Sequence, residues 1–170
     1  MADAKHLNSS RWAFAPAALA LVLLALILGG CANDTASGGV QRVEIKGEVF
    51  KLELAMDQDS RVQGLSDRDF IAPDGGMLFV FPYEADRTFV MRRCLVPIDI
   101  MYLDPKGVVL NTHAMQIEPP GTPEQDLKGY RSEGKSALVI ELAGGTVERL
   151  GVKKGDQIDL PILELKRRAQ

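Results

Sequence analysis

Among 170 residues the sequence holds two cysteines and two histidines. A structural zinc site needs four ligands, typically Cys or His, so that supply argues against one. A basic excess is also missing. Twenty Lys and Arg face 23 Asp and Glu, for a net charge of −3. A nucleic-acid binder would carry the opposite balance. There is no phosphate-cradling glycine loop, dinucleotide fingerprint or metalloprotease helix. Gly75-Gly76 precedes a strand-like run, which is the wrong context for any of them. Internal repeats and low-complexity blocks are absent as well. What remains is a single domain's length of chain, with enough Val, Ile, Leu and Phe to argue against disorder and to bury a core without disulfides or metals.

The apolar residues are unevenly placed. Ala13 to Leu28 carries no charge, Lys5 and Arg11 precede it, and Leu28-Gly29-Gly30-Cys31 follows. A basic start, a short apolar stretch and small residues before a cut describe a secretory signal. With cysteine next, the stretch resembles a bacterial lipobox. That resemblance implies a signal peptide over 1–30, cleavage before Cys31, and acyl chains on Cys31. Each buried methylene contributes about 0.8 kcal/mol, so several chains hold stably where one does not. The alternative, an uncleaved membrane anchor, has Pro16 in a stretch barely long enough to span. Either way the remainder faces the cell envelope, in the periplasm or outside. Ala32 after the cysteine favours the outer membrane of a Gram-negative source. Cleavage removes Lys5, Arg11 and Asp3, leaving 18 basic and 22 acidic side chains. Residues 31–39 read as a flexible tether, 40–165 as the folded domain, and 166–170 as a C-terminal tail.

Period-two alternation dominates the domain. Val43 and Ile45, then Phe50, Leu52, Leu54 and Met56, flank a Lys46-Gly47 turn and predict an antiparallel hairpin. One short helix is expected between Asp57 and Arg68, and another over Val147–Leu150. Pro73-Asp74-Gly75-Gly76 predicts a turn before the apolar strand Met77–Phe81. Further strands are expected at Thr88–Arg92, Asp99–Leu103, Val108–Met115, Ser136–Leu142 and Gln157–Leu160. Ile117–Lys135 reads as a long irregular loop, which compact domains often use for function. Seven or eight short strands with two short helices predict a mostly β, closed or nearly closed barrel.

Several fragments together resemble the domain-of-unknown-function 192 family. They are Arg61-x-x-Gly64-Leu65, Arg68, Gly75-Gly76-Met77-Leu78-Phe79-Val80-Phe81, Phe89-x-Met91 and Leu95-Val96-Pro97-Ile98-Asp99. Glu141-Leu142-x-x-Gly144 and Leu150-Gly151-Val152-x-x-Gly155-Asp156 continue the match in order. The resemblance implies a small, mostly β domain, often secreted or lipid-anchored, with no established activity to carry over. The chain departs from the family pattern at Ser66, at Val90 and over Arg92-Arg93-Cys94.

Four groups of residues are candidates for chemistry. With Cys31 lipidated, Cys94 has no disulfide partner in the chain, and the adjacent Arg92 and Arg93 would favour its thiolate. The plainer alternative makes Cys94 a small buried hydrophobe. His113 is the one histidine left after cleavage, and a Cys94–His113 pair would suit a thiol enzyme or redox protein. No oxyanion loop or nucleophile elbow accompanies the pair, and a strand histidine can equally be structural. His113-x-Met115 puts an imidazole and a thioether on one strand face, a combination suited to Cu(I). Arg61, Arg68, Arg92 and Arg93 would grip a carboxylate or phosphate, or else pair with acidic neighbours and brace loops. Asp99 is expected to accept backbone hydrogen bonds at a strand start. The leading expectation is a lipid-anchored, non-catalytic module without a cofactor. It would bind a small anionic ligand or an envelope protein through the Met91–Asp99 bend and the Ile117–Lys135 loop.

Overall fold

The computed structural model of the chain describes residues 39–170. The expected signal peptide, the Cys31 lipid site and tether residues 31–38 lie outside the described residues. Strands β1 (Val40–Ile45) and β2 (Glu48–Ala55) form the antiparallel hairpin. Lys46 and Gly47 turn it with φ of 52° and 84°, the two positive values that a tight primed turn requires. Val43, Ile45, Phe50, Leu52 and Leu54 are buried, as the alternation predicts.

Helix α1 (Gln58–Gln63) begins at Asp57, whose carboxylate accepts from the Ser60 N–H in a capping box. The chain then crosses over to β3 (Gly75–Ala85), which runs parallel to β2. Gly75 and Gly76, expected in a turn, belong to this strand. Gly76 has φ of 151°, and a Cβ there would lie 2.2 Å from the Glu141 carbonyl oxygen, so only glycine permits this approach of two backbones.

β3 pairs antiparallel with β8 (Ser136–Ala143), β8 with β5 (Ile98–Leu103), and β5 with β6 (Val109–Met115). The sheet order is β1-β2-β3-β8-β5-β6. A separate ribbon joins β4 (Thr88–Phe89) to β7 (Tyr130–Arg131). The strand expected over Thr88–Arg92 is confined to those two residues, and Gln157–Leu160 contributes one bridge, Gln157 to Val108.

The domain is mostly β, but its sheet is not closed into a barrel. β1 and β6 are its edges, and they do not pair with each other. Helices supply the cover that closure would otherwise give. One face carries Leu138, Ile140 and Leu142 under Val152, Ile158 and Leu165. Leu165 comes from α3 (Ile162–Arg168), a third helix where two were expected. Within the stretch expected as a tail, residues 166–168 complete this helix, and beyond it the Gln170 N–H donates to the Met56 carbonyl at 2.8 Å. Helix α2 (Thr146–Leu150) starts at Gly145, and the Asp99 carboxylate accepts from the Val147 N–H at 2.7 Å. Asp99 is structural, as expected, though it holds a helix start rather than its own strand.

Candidate functional site

On the sheet's second face Val139 and Glu141 of β8 point away from α3, among Phe79, Ile100 and Tyr102. Glu141 is 5% exposed, with Met77 of β3 and Ile100 of β5 directly opposite it in the neighbouring strands. Above it two segments meet: the end of α1 through Ser66, and residues 89–94. Between them lies a cleft of about 180 Å³, floored by Phe79 and Glu141 and walled by Leu65, Phe89, Arg92 and Cys94. Arg61 and Ser66 also line it.

The walls are stitched by unusual backbone. Asp67 and Arg93 both adopt left-handed conformations, φ 63° and 49°. The Asp67 N–H donates to the Arg93 carbonyl at 2.8 Å, and the Arg93 guanidinium returns to the Asp67 carboxylate at 2.9 and 3.0 Å. The Ser66 hydroxyl donates to the Arg92 carbonyl at 2.8 Å. Non-glycine residues pay for such conformations, and they persist where neighbours hold them and a site benefits from the shape.

Each of the four candidate arginines has a partner. Arg68 forks onto the Glu53 carboxylate at 2.5 and 2.7 Å, which lowers that carboxyl's pKa. Arg93 holds Asp67. Arg92 binds Glu124 through Nε and Nη2, so the long 117–135 loop reaches the segment after Met91. Arg61 donates to the backbone oxygens of Val80 and Gln170 at 3.0 and 2.6 Å and lies 5.2 Å from the Phe81 ring centre. Bracing therefore accounts for Arg61, Arg68 and Arg93. Arg92, which lines the cleft as Arg61 does, keeps its Nη1 donors untaken among the described residues.

Cys94 is buried, and its thiol is pushed up to about 11, first by desolvation and then by the charges of Glu141 and Asp67. Arg92 and Arg93 oppose that rise without overcoming it. The thiol points to the Arg92 carbonyl at 3.5 Å. His113 does not line the cleft. Its Nε2 lies 2.8 Å from the Arg131 carbonyl oxygen and 2.9 Å from the Asn111 amide nitrogen, and its ring packs edge-on against Tyr102 and Tyr130. Met115 is fully buried in the core beside Ile98. Among the described residues no three His, Cys, Asp or Glu side chains gather to hold a metal.

The residue that sequence reasoning passed over is Glu141. Burial pushes its carboxyl up to about 8, with Arg68 pulling the other way. A signal was present: Ser136-Ala137-Leu138-Val139-Ile140-Glu141-Leu142 is a strand buried on both faces, and a lone charge in such a run requires an explanation.

Comparison with known proteins gives relatives of similar shape. The profile of the DUF192 family, described as Uncharacterized ACR, matches residues 41–160. A candidate transcription regulator from Sinorhizobium meliloti is 31% identical with a TM-score of 0.60, over 71% of this chain and 90% of its own. A protein of unknown function from Novosphingobium aromaticivorans is 29% identical with a TM-score of 0.62, over 71% of this chain and 85% of its own. No curated protein matches the chain.

Proposed function

The chain belongs to the DUF192 family, and from that premise we propose that it is a lipid-anchored envelope protein whose folded domain binds a small anionic ligand. The observation that carries this reading is the cleft, where the rings of Phe79 and Phe89 meet Arg92, whose Nη1 donors are untaken among the described residues. Glu124 holds the guanidinium in place, so little side-chain freedom is left to lose on binding. The burial that keeps Cys94 a thiol favours binding over thiolate chemistry. The acidic balance of the chain does not favour extending the description of its S. meliloti relative to nucleic acid.

Thermal shift of the full chain in detergent, against a panel of short carboxylates and phosphate, tests the binding. At least one anion should raise the wild-type midpoint and leave Arg92→Ala unmoved. An unmoved wild type, or equal shifts in both proteins, contradicts the reading. Anchoring through Cys31 to the periplasmic or exterior face is tested separately. Mass spectrometry should find acyl groups on Cys31, and C31A should leave the membrane fraction or retain its signal. A mature Cys31 without lipid contradicts it.

A further inference from the structure

Glu141 occupies a position that a carboxylate cannot hold cheaply. It sits in a strand buried on both faces, and none of the described residues donates a hydrogen bond to its side chain. Arg68 influences it only through its field, because both Nη atoms of that fork are bound to Glu53. No fully enclosed side-chain polar atom lacks a partner among the described residues. The Glu141 oxygens therefore open onto the cleft they line.

The charged groups around this carboxyl are already engaged: Arg61, on the helix side of the cleft, donates to the Val80 and Gln170 backbone oxygens. From β2 and the segment after α1 come Glu53 and Arg68, paired, and then Asp67, paired with Arg93. From the 89–94 segment come Arg92, fixed by Glu124, and the Cys94 thiol. From β5 comes the Tyr102 hydroxyl, which burial and Glu141 together hold protonated and which donates to the Tyr130 carbonyl. The Ser66 and Cys94 donors are already spent on the Arg92 carbonyl. An uncompensated charge in such surroundings is disfavoured, so the carboxyl is an acid with an O–H to donate. Glu141, with an O–H to donate, and Arg92, whose Nη1 has no partner among the described residues, then line the same small cleft.

We propose that the cleft takes a short monocarboxylate, its carboxylate accepting from Glu141 as an acid and from Arg92, and its hydrocarbon body lying on Phe79 and Phe89. This rests on the anion-binding reading and specifies its ligand class. A dry apolar cavity of about 150 Å³ holds benzene, so about 180 Å³ suits a body of similar size. No covalent bond changes. Where Glu141 already carries its proton, the ligand simply adds. At higher pH, where Glu141 is ionised, each ligand bound brings one proton from solvent onto Glu141.

The test is calorimetric titration of the full chain in detergent with sodium butyrate, in pairs of buffers of different ionisation enthalpy. The expected affinity is flat to about pH 8 and then falls about tenfold per pH unit, with one proton taken up per butyrate. Glu141→Gln, which keeps a donor, should bind butyrate without that fall. The wild-type proton count is a readout that does not depend on this variant folding. Butylammonium should not bind. If butylammonium binds with proton release, Glu141 reads a cation and the proposal is overturned. If butyrate binds with no proton uptake at high pH, the anion-binding reading stands and the role given to Glu141 falls. If neither butyrate nor benzoate binds at about pH 6.5, while phosphate does, the monocarboxylate class is wrong though the cleft still binds an anion. If no anion binds, both fall.

Discussion

Replacing Glu141 with glutamine should alter how stability depends on pH. The wild-type carboxyl rises from its ordinary 4.5 to about 8 on folding, because burial disfavours the charged form. A folded acid with a raised pKa holds its proton more tightly than the unfolded chain does. Unfolding then releases a proton throughout the interval from 4.5 to about 8. Stability contributed by this group is complete below the interval and is lost as pH rises through it, levelling off above about 8. One pKa unit corresponds to about 1.4 kcal/mol, so the full interval amounts to on the order of 5 kcal/mol. Glutamine cannot ionise and does not have this slope. Urea denaturation of wild type and E141Q, from about pH 5 to about pH 9, isolates the difference, because other titrating groups are common to both. The two proteins should have similar midpoints at the acid end, and E141Q should become the more stable by several kcal/mol at the alkaline end. Parallel curves would refute the reasoning, since they would mean that Glu141 titrates alike in the folded and unfolded chain.

Three further outcomes follow from the same geometry. Arg68→Ala removes the cation that pulls the Glu141 pKa down, so the alkaline end of the stability decline should move to higher pH; an unchanged urea profile against pH would contradict this. Cys94 should resist iodoacetamide in the folded chain at neutral pH. The rise from 9.0 to about 11 leaves about 100-fold fewer thiolates before steric exclusion is counted, and peptide mapping with and without urea would show the contrast. Gly76→Ala places a Cβ 2.2 Å from the Glu141 carbonyl oxygen and 2.9 Å from Leu142, and it should destabilise by at least about 3 kcal/mol in urea titration.

How far the residues foretold this structure varies by element. The β1–β2 hairpin was legible because alternation and the Lys46-Gly47 turn are local signals. The run from Met77 to Phe81 announced a central strand for the same reason. The parallel pairing of β2 with β3, and the insertion of β8 between β3 and β5, depend on contacts far apart in sequence. Open sheet and closed barrel therefore read alike from short segments. Helix α3 was missed because Pro161 and the charged stretch after Leu163 resemble a tail, and its reason to be helical is Leu165 docking into the core. Among the candidate residues singled out from sequence, Arg61, Arg92 and Cys94 line one cleft. His113 and Met115 were singled out for their chemistry, His113 as a partner for Cys94 or with Met115 as a Cu(I) pair, and the fold places both on β6 away from the cleft. Glu141 escaped because a single glutamate in a strand usually marks a solvent face, although the unbroken apolar run around it already pointed to burial on both faces.

The central claim is that an uncharged carboxylic acid faces the cleft at neutral pH. Infrared spectroscopy of the full chain reads it directly, since a protonated carboxyl shows a carbonyl band that an ionised one lacks. The account predicts that band at pH 7, its loss through about pH 8, and its absence from E141Q. A wild-type spectrum without the band at pH 7, with every carboxyl titrating in the ordinary acid range, would contradict it.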